Sequence, residues 1–304
     1  MRLIVHGQQA YGKSVLEAIL DKGVDEVVAV YSAPDKEGRP LDPLKEFALQ
    51  RDLPVYQPES YKNPEVWEQL ASHDADLCVM AYVLLFVPEE ALNVPKHGSI
   101  QYHPSLLPWH KGPSSINWPI IMGKQKTGLS IFWPDNGLDT GPILLQKEVD
   151  IGPDDTLGSI YFDKLYPLGV DAMLESIELV RDGTAPRDVQ DPDAGSYEGW
   201  CRKEDVQIDW SKATDEIYNL IRGANPQPGA WTTLNGSEVK VFDSRKADAS
   251  GEPGCIVSID DSGLVVATAD GAIRIIKVRA DAGKMTATEY AAEMGLATGA
   301  RLGS

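Results

Sequence analysis

Several things are scarce or missing in these 304 residues, and each absence narrows the reading. There are three cysteines, Cys78, Cys201 and Cys255, an odd number with no metal-ligand or redox spacing. A disulfide scaffold is therefore not expected, and a reducing cytoplasm is the simplest setting. No apolar run approaches the ~20 residues needed to span a bilayer. The opening MRLIVHGQQAYGKS lacks the apolar core and small-residue cleavage site of a secretory leader, so neither membrane nor export is expected. Basic residues are also few: 28 Lys and Arg against 46 Asp and Glu, a net charge of -18. A broad nucleic-acid surface would be basic, so this balance disfavours one, although it leaves room for a local basic patch. It suits an enzyme of small molecules, and equally a protein that is merely kept soluble by charge.

The common chemical signatures are missing too. His97, His103 and His110 have no ligand spacing of a known metal site, and there is no HExxH. Ser105 sits in HPSLL, outside the G-x-S-x-G frame of a serine hydrolase. The turn after the first apolar run is not GxGxxG. Gly7, Gly12, Lys13 and Ser14 do satisfy the bare phosphate-loop pattern, but the bulky Gln8-Gln9-Ala10-Tyr11 between the glycines suits a phosphate cradle poorly.

What is present is an alternation of apolar strands and amphipathic helices. Residues 2–6, RLIVH, read as a buried strand, followed by a Gly-containing turn and a helix from Lys13 to Asp21. That is how a doubly wound sheet begins. Strands are expected at 24–31, 54–56, 77–81, 99–102, 127–133 and 143–149, and helices at 43–50, 63–72, 114–122 and from Asp154 to about Asp182. LCVMA at 77–81 is apolar throughout, as a central parallel strand should be. After Asp182 the run GTAPRDVQDPDAGSYEGW reads as a linker. A helix at 213–222 and five short strands with Asn235-Gly236, Asp261-Ser262-Gly263 and Asp270-Gly271 turns follow. Their number suggests a small OB-like β-barrel. The expected domains are 1–182, Rossmann-like α/β, a linker at 183–203, and 204–304, OB-like.

The chemistry is expected at two strand ends. One strand ends in Gln101-Tyr102-His103; the next ends at the acidic turn Asp135-Asn136-Gly137-Leu138-Asp139. Imidazole and carboxylate together can hold and move a proton during attack on a carbonyl. Gln101, two residues before His103, shares its strand face, and its amide can donate to an oxyanion. Spacing alone leans toward a plainer reading, a structural histidine and a turn aspartate.

The paired runs His103-Pro104-Ser105-Leu106-Leu107-Pro108 and Gly137-Leu138-Asp139-Thr140-Gly141 resemble the 10-formyltetrahydrofolate-dependent formyltransferases. That family includes methionyl-tRNA formyltransferase, sugar-amine formyltransferases and the N-terminal hydrolase domain of 10-formyltetrahydrofolate dehydrogenase. The resemblance runs over nearly the whole chain and is strongest to the hydrolase domain, through HGSIQYHPSLLP, INW, SIFWPDNGLDTG and LLQKE. It implies a Rossmann-like domain that takes 10-formyltetrahydrofolate as formyl donor, with no metal and no nicotinamide. His103 and Asp139 would be catalytic, with Gln101. The folate would lie against Leu84, Leu85, Phe86, Val87, Ser105, Asp135, Asn136 and Gly137. The formyl acceptor would be a small amine or amino sugar, less readily methionyl-tRNA. The alternatives are water, which makes the protein a hydrolase, and a folate-binding module without catalysis.

Two departures bear on the acceptor. The transferases usually carry Asn-x-His, where this chain has Gln101-Tyr102-His103, and the longer stem shifts the amide. From residue 205 onward there are 10 Lys and Arg against 14 Asp and Glu, a poor tRNA platform. The carrier and aldehyde-dehydrogenase parts of the dehydrogenase are not in this sequence.

Overall fold

The computed structural model describes residues 1–280 and 283–303; Ser304, the limit of the second expected domain, lies outside them. The chain packs as two compact units. The first comprises 1–112, 128–149 and 164–197, and the second 113–127, 150–163 and 198–304.

The first unit is built on a seven-stranded sheet. Its strands are β1 (Arg2–Gly7), β2 (Glu26–Tyr31), β3 (Val55–Tyr56), β4 (Leu77–Ala81), β5 (Ser99–His103), β6 (Lys126–Phe132) and β7 (Ile143–Asp150), in the order β3-β2-β1-β4-β5-β6-β7. The first five run parallel and β6 turns antiparallel against β5, so the sheet is mixed. β4 is buried at every residue, as its unbroken apolar run requires.

Gly7, at the end of β1, is dictated by packing. A Cβ there would lie 2.1 Å from the carbonyl oxygen of Ala81 on β4. The helix that follows, α1 (Gln9–Lys22), gives its first backbone N–H to an acid. Gln9 N–H donates to both carboxylate oxygens of Asp42 at 2.8 and 2.9 Å. Asp42 also caps the next helix, α2 (Pro43–Gln50), accepting from Leu44 N–H at 2.9 Å. The first N–H of the helix that follows the bare phosphate-loop pattern is thus taken by Asp42.

Two expectations need adjusting. The helix expected to run unbroken to Asp182 is divided into a turn at Leu157–Ser159, a π-helical stretch at Ile160–Leu165 and a regular helix at Tyr166–Arg181. Pro167 has no N–H to donate back along the helix, so the regular ladder restarts there. The run after Asp182 is not a free tether. Asp188 pairs with Ile143 in an antiparallel bridge, and Tyr197 pairs with Lys111 in a parallel one.

The second unit holds an antiparallel sheet. Its strands are β8 (Ala230–Leu234), β9 (Ser237–Ala247), β10 (Ile256–Asp260), β11 (Gly263–Ala267), β12 (Ala272–Ala280) and β13 (Gly283–Thr286). The order is β10-β11-β12-β9-β8, with β13 on β12, so the described residues form six strands where five were expected. Among the described residues no pairing joins β8 to β10, and the sheet is not a closed barrel. Its core includes Trp210, Ile217, Ile221, Val241 and Ile273. Among the described residues no helix is long and apolar enough to cross a membrane.

Candidate active site

β5 brings Gln101 and His103 to the same face of the sheet. Gln101 stands opposite Met80 of β4 and Phe132 of β6, and His103 opposite Ser130. The chain then leaves β5 through a turn held by buried polar bonds. Ser130 Oγ donates to the Ser105 carbonyl at 2.7 Å and accepts from Leu107 N–H at 3.0 Å. Gln146 Nε2 donates to the same hydroxyl and to the Leu107 carbonyl, both at 2.8 Å. In a buried turn each of these groups would otherwise carry a desolvation penalty of about 1–3 kcal/mol.

His103 is 6% exposed and Asp139 8% exposed. The His103 Nε2–H faces the carbonyl of His110 at 3.0 Å. That interaction leaves Nδ1, which lies 3.6 Å from Asp139 Oδ2. The same carboxylate oxygen accepts the Gly112 N–H at 2.8 Å, which pins its position. The two residues that the sequence separates by 36 positions therefore meet inside one unit. The separation of 3.6 Å is too long for a hydrogen bond and close enough for a charge interaction between carboxylate and imidazole.

The backbone around this pair is held in uncommon conformations. Asp139 has φ 56°, His110 φ 56° and Tyr82, just after β4, φ 66°. Non-glycine residues in the left-handed region cost about 1–2 kcal/mol each and concentrate at functional sites. The turn that carries Asp139 is knitted internally: Asp135 Oδ1 accepts from Gly137 N–H at 2.9 Å and from Thr140 Oγ at 2.7 Å. Gly141 is required there, because a Cβ would lie 1.8 Å from the Trp133 carbonyl oxygen.

Of the two segments expected to line the folate pocket, the Asp135–Asp139 turn is bonded to Glu89, two residues beyond the Leu84–Val87 loop. Asn136 Oδ1 accepts the Glu89 N–H at 3.1 Å, and Asn136 N–H donates to Glu89 Oε1 at 3.2 Å. Beside this bridge Leu84, Leu85 and Phe86 are exposed at 58%, 37% and 53%, an apolar surface where Lys62 lies over the Phe86 ring. Val87 turns inward against the cluster that holds Tyr31 and Met80. Ser105 does not join them. It is fully buried and its hydroxyl donates to the Trp109 carbonyl at 2.7 Å, so it props the turn and presents nothing to a ligand. The Asp135 carboxylate is likewise engaged with its own turn.

The sequence reading missed the groups that support the pair: the Gly112 N–H, the His110 carbonyl, Ser196 and Gln190. Gln190 Nε2 donates to the carbonyls of Asp139 at 3.0 Å and Gly141 at 2.7 Å. A lone glutamine in a Pro- and Asp-rich stretch carries no periodic signal that could have revealed this. Among the described residues there is no group of three or more His, Cys, Asp or Glu placed to hold a metal ion.

Comparison with known proteins bears on both halves. Residues 1–177 match the formyl transferase domain and residues 201–295 the formyl transferase C-terminal domain. The chain is 39% identical over 307 residues to the mitochondrial 10-formyltetrahydrofolate dehydrogenase of Homo sapiens, covering 95% of itself and 33% of that protein. It thus spans about a third of the length of the dehydrogenases it matches. It is 34% identical over 309 residues to the methionyl-tRNA formyltransferase of Geobacter metallireducens, covering 100% of itself and 99% of the relative. Among solved structures it is similar to the N-formyltransferase of Helicobacter canadensis in complex with folinic acid and dTDP-3-aminofucose. There the TM-score is 0.66 and the identity 20%, over 90% of this chain and 98% of the other. HypX of Aquifex aeolicus in complex with tetrahydrofolic acid gives a TM-score of 0.66 and 19% identity, over 96% of this chain and 47% of that one. With two matching domains and a full-length relative above 30% identity, the chain belongs to the formyl transferase family.

Proposed function

We propose that this protein transfers the formyl group of 10-formyltetrahydrofolate to an amine, with His103, Asp139 and Gln101 as the catalytic groups. The observation that carries the reading is the approach of His103 Nδ1 to Asp139 Oδ2, 3.6 Å apart and both largely buried, at the end of the strand that also bears Gln101. Relatives named for formyl transfer, or for the formylated folate, support the donor.

The amine lone pair forms a bond to the formyl carbon and the carbonyl π pair moves onto oxygen. An imidazolium at His103, whose ring nitrogens face the His110 carbonyl and Asp139, stabilises that oxyanion through its charge, and the Gln101 amide donates to it. The carboxylate of Asp139 holds the imidazole ring and its positive charge, and it takes the proton that the attacking amine sheds. Collapse re-forms the carbonyl and breaks the bond to the folate nitrogen, which leaves with a proton. The products are a formamide and tetrahydrofolate. The exposed Leu84, Leu85 and Phe86, with Val87 behind them and Asn136 and Gly137 opposite, are the surface on which we place the pterin.

The acceptor is a small amine or amino sugar, in the cytoplasm, and the antiparallel sheet of the second unit is OB-like. The acidic balance from residue 205 onward weighs against tRNA. The second reading is hydrolysis, with water in place of the amine. The identity to the dehydrogenases, whose length this chain covers only in part, favours it. Incubation with 10-formyltetrahydrofolate, with and without amines, decides between them when tetrahydrofolate and formate are both followed. Amine-dependent tetrahydrofolate release without formate supports transfer; formate release without an amine supports hydrolysis. Folate binding with no turnover in either case would make the protein a binding module and refute both.

A further inference from the structure

The segment from Pro186 to Tyr197 bonds to Asp139 and to His110, whose carbonyl receives His103 Nε2. At its start the Trp133 indole N–H donates to the Pro186 carbonyl at 2.9 Å, and the Arg187 guanidinium lies 3.7 Å over the Trp133 ring. Asp188 and Ile143 exchange two backbone bonds of 2.8 and 2.9 Å. Gln190 then reaches the Asp139 turn through its Nε2, as described above. It is 8% exposed, and its Oε1 has no hydrogen-bond partner among the described residues. A buried amide that leaves one end unsatisfied in order to hold two carbonyls is an expensive arrangement for mere surface tethering.

At its far end the segment runs beside the His103 loop. Ser196 N–H donates to the Pro108 carbonyl at 3.2 Å, and Lys111 N–H to the Ser196 carbonyl at 3.0 Å. Ser196 Oγ accepts the His110 N–H at 3.0 Å, and the carbonyl of that same His110 receives His103 Nε2. The approach is close enough to demand glycine next door. Gly195 has φ 98°, and a Cβ there would lie 2.1 Å from the Pro108 carbonyl oxygen.

We propose that this segment is a positioning strap that sets the His103–Asp139 geometry from both sides. Gln190 acts through Asp139 and Ser196 acts through His110. Neither is a catalytic residue. The left-handed backbones of Asp139 and His110, one at each contact, are what such a strap must hold in place. Displacement of a reacting group by about 1 Å can reduce a rate by about 10²-fold, so loss of the strap bonds affects turnover more than folate binding. The proposal rests on His103 and Asp139 being catalytic.

The test replaces Gln190 by Met, which keeps the volume and removes the donor, in the full-length protein. The expected result is a kcat lowered between about 10- and 100-fold, with KM for 10-formyltetrahydrofolate within twofold of wild type. In the Asp139→Asn background the same replacement adds little further loss, because the group it positions is already gone. A general structural defect would instead lower both backgrounds by the same factor. Ser196→Ala is the second variant, should Gln190→Met fold poorly, and is expected to show the same split between kcat and KM. If His103→Ala and Asp139→Ala abolish turnover while Gln190→Met and Ser196→Ala keep wild-type kcat, the strap is refuted and the catalytic pair stands. If His103→Ala and Asp139→Ala retain full turnover, or wild type turns over neither with amine nor with water, the catalytic assignment falls and the strap with it.

Discussion

His6 offers a sharp quantitative test of the first unit's core. It sits on β1, 5% exposed, with its ring centroid 4.7 Å from that of Tyr61 and 6.4 Å from that of Tyr31. A void of about 10 Å³ adjoins it, lined also by Leu70, Met80 and Val87, scarcely one water in size. Burial alone pushes the imidazole down from 6.5 to about 3. The folded state therefore refuses a proton that the unfolded state accepts below pH 6.5. The stability that neutral His6 allows is complete above pH 6.5 and is lost progressively as the pH falls toward 3. At pH 5.0 the unfolded chain gains about 1.5 pH units of protonation, which at 1.36 kcal/mol per unit is about 2 kcal/mol. His6→Phe keeps a ring in the slot and removes the proton site. Urea unfolding at pH 7.5 and 5.0, read by hydrogen exchange of the β1 peptide, compares the two proteins. Wild type is expected to lose about 2 kcal/mol more than His6→Phe over that interval. Carboxylates and His73, whose imidazole is also held down by burial and then by Arg2, are common to both proteins and cancel. Equal losses in the two would refute the claim that His6 is buried neutral.

His103→Ala and Asp139→Ala are each expected to lower kcat by about 10²–10⁴-fold, measured as tetrahydrofolate release. Gln101→Ala, the loss of one oxyanion donor, is expected to lower kcat by about 10²–10³-fold; wild-type kcat would remove Gln101 from the mechanism. Ser130→Ala leaves Leu107 N–H and one Gln146 donor bond unanswered in a buried turn. It is expected to cost about 1–3 kcal/mol in urea unfolding of the first unit. Gly141→Ala forces a Cβ against the Trp133 carbonyl and should abolish turnover by displacing Asp139, with folate affinity measured separately by fluorescence quenching.

Much of the fold was legible because its signals are local. β4 is apolar without a break, and the Gly-containing turn after β1 marks the entry to α1. Asn235-Gly236 and Asp261-Ser262-Gly263 mark the hairpins of the second sheet. Elements whose cause is not local were misjudged. The π-helical stretch before Pro167 lies within an unbroken helical pattern, and β13 was not anticipated, since its four residues alternate exposed and half-buried. The stretch after Asp182 has a linker's composition, yet bonds from its backbone and from Gln190 hold it to the Asp139 and His110 loops. Composition records how polar a segment is, not where its hydrogen bonds end.

The residue chemistry by itself offered candidate groups, one imidazole, one carboxylate and one amide, each at the end of a strand or in the turn beyond it; spacing alone leaned toward a structural role for them, and the resemblance to a formyl-handling family made them a candidate site. The tertiary structure decided which of them meet. It brings His103 Nδ1 to 3.6 Å from Asp139 Oδ2, pins that oxygen with the Gly112 N–H, and joins the Asp135–Asp139 turn to Glu89 through Asn136. It also turned Ser105 inward and enlisted Gln190 and Ser196. The physical reason is that these are hydrogen bonds between distant parts of the chain, each made because a buried polar group must find a partner, and nothing in local periodicity says which partner that is.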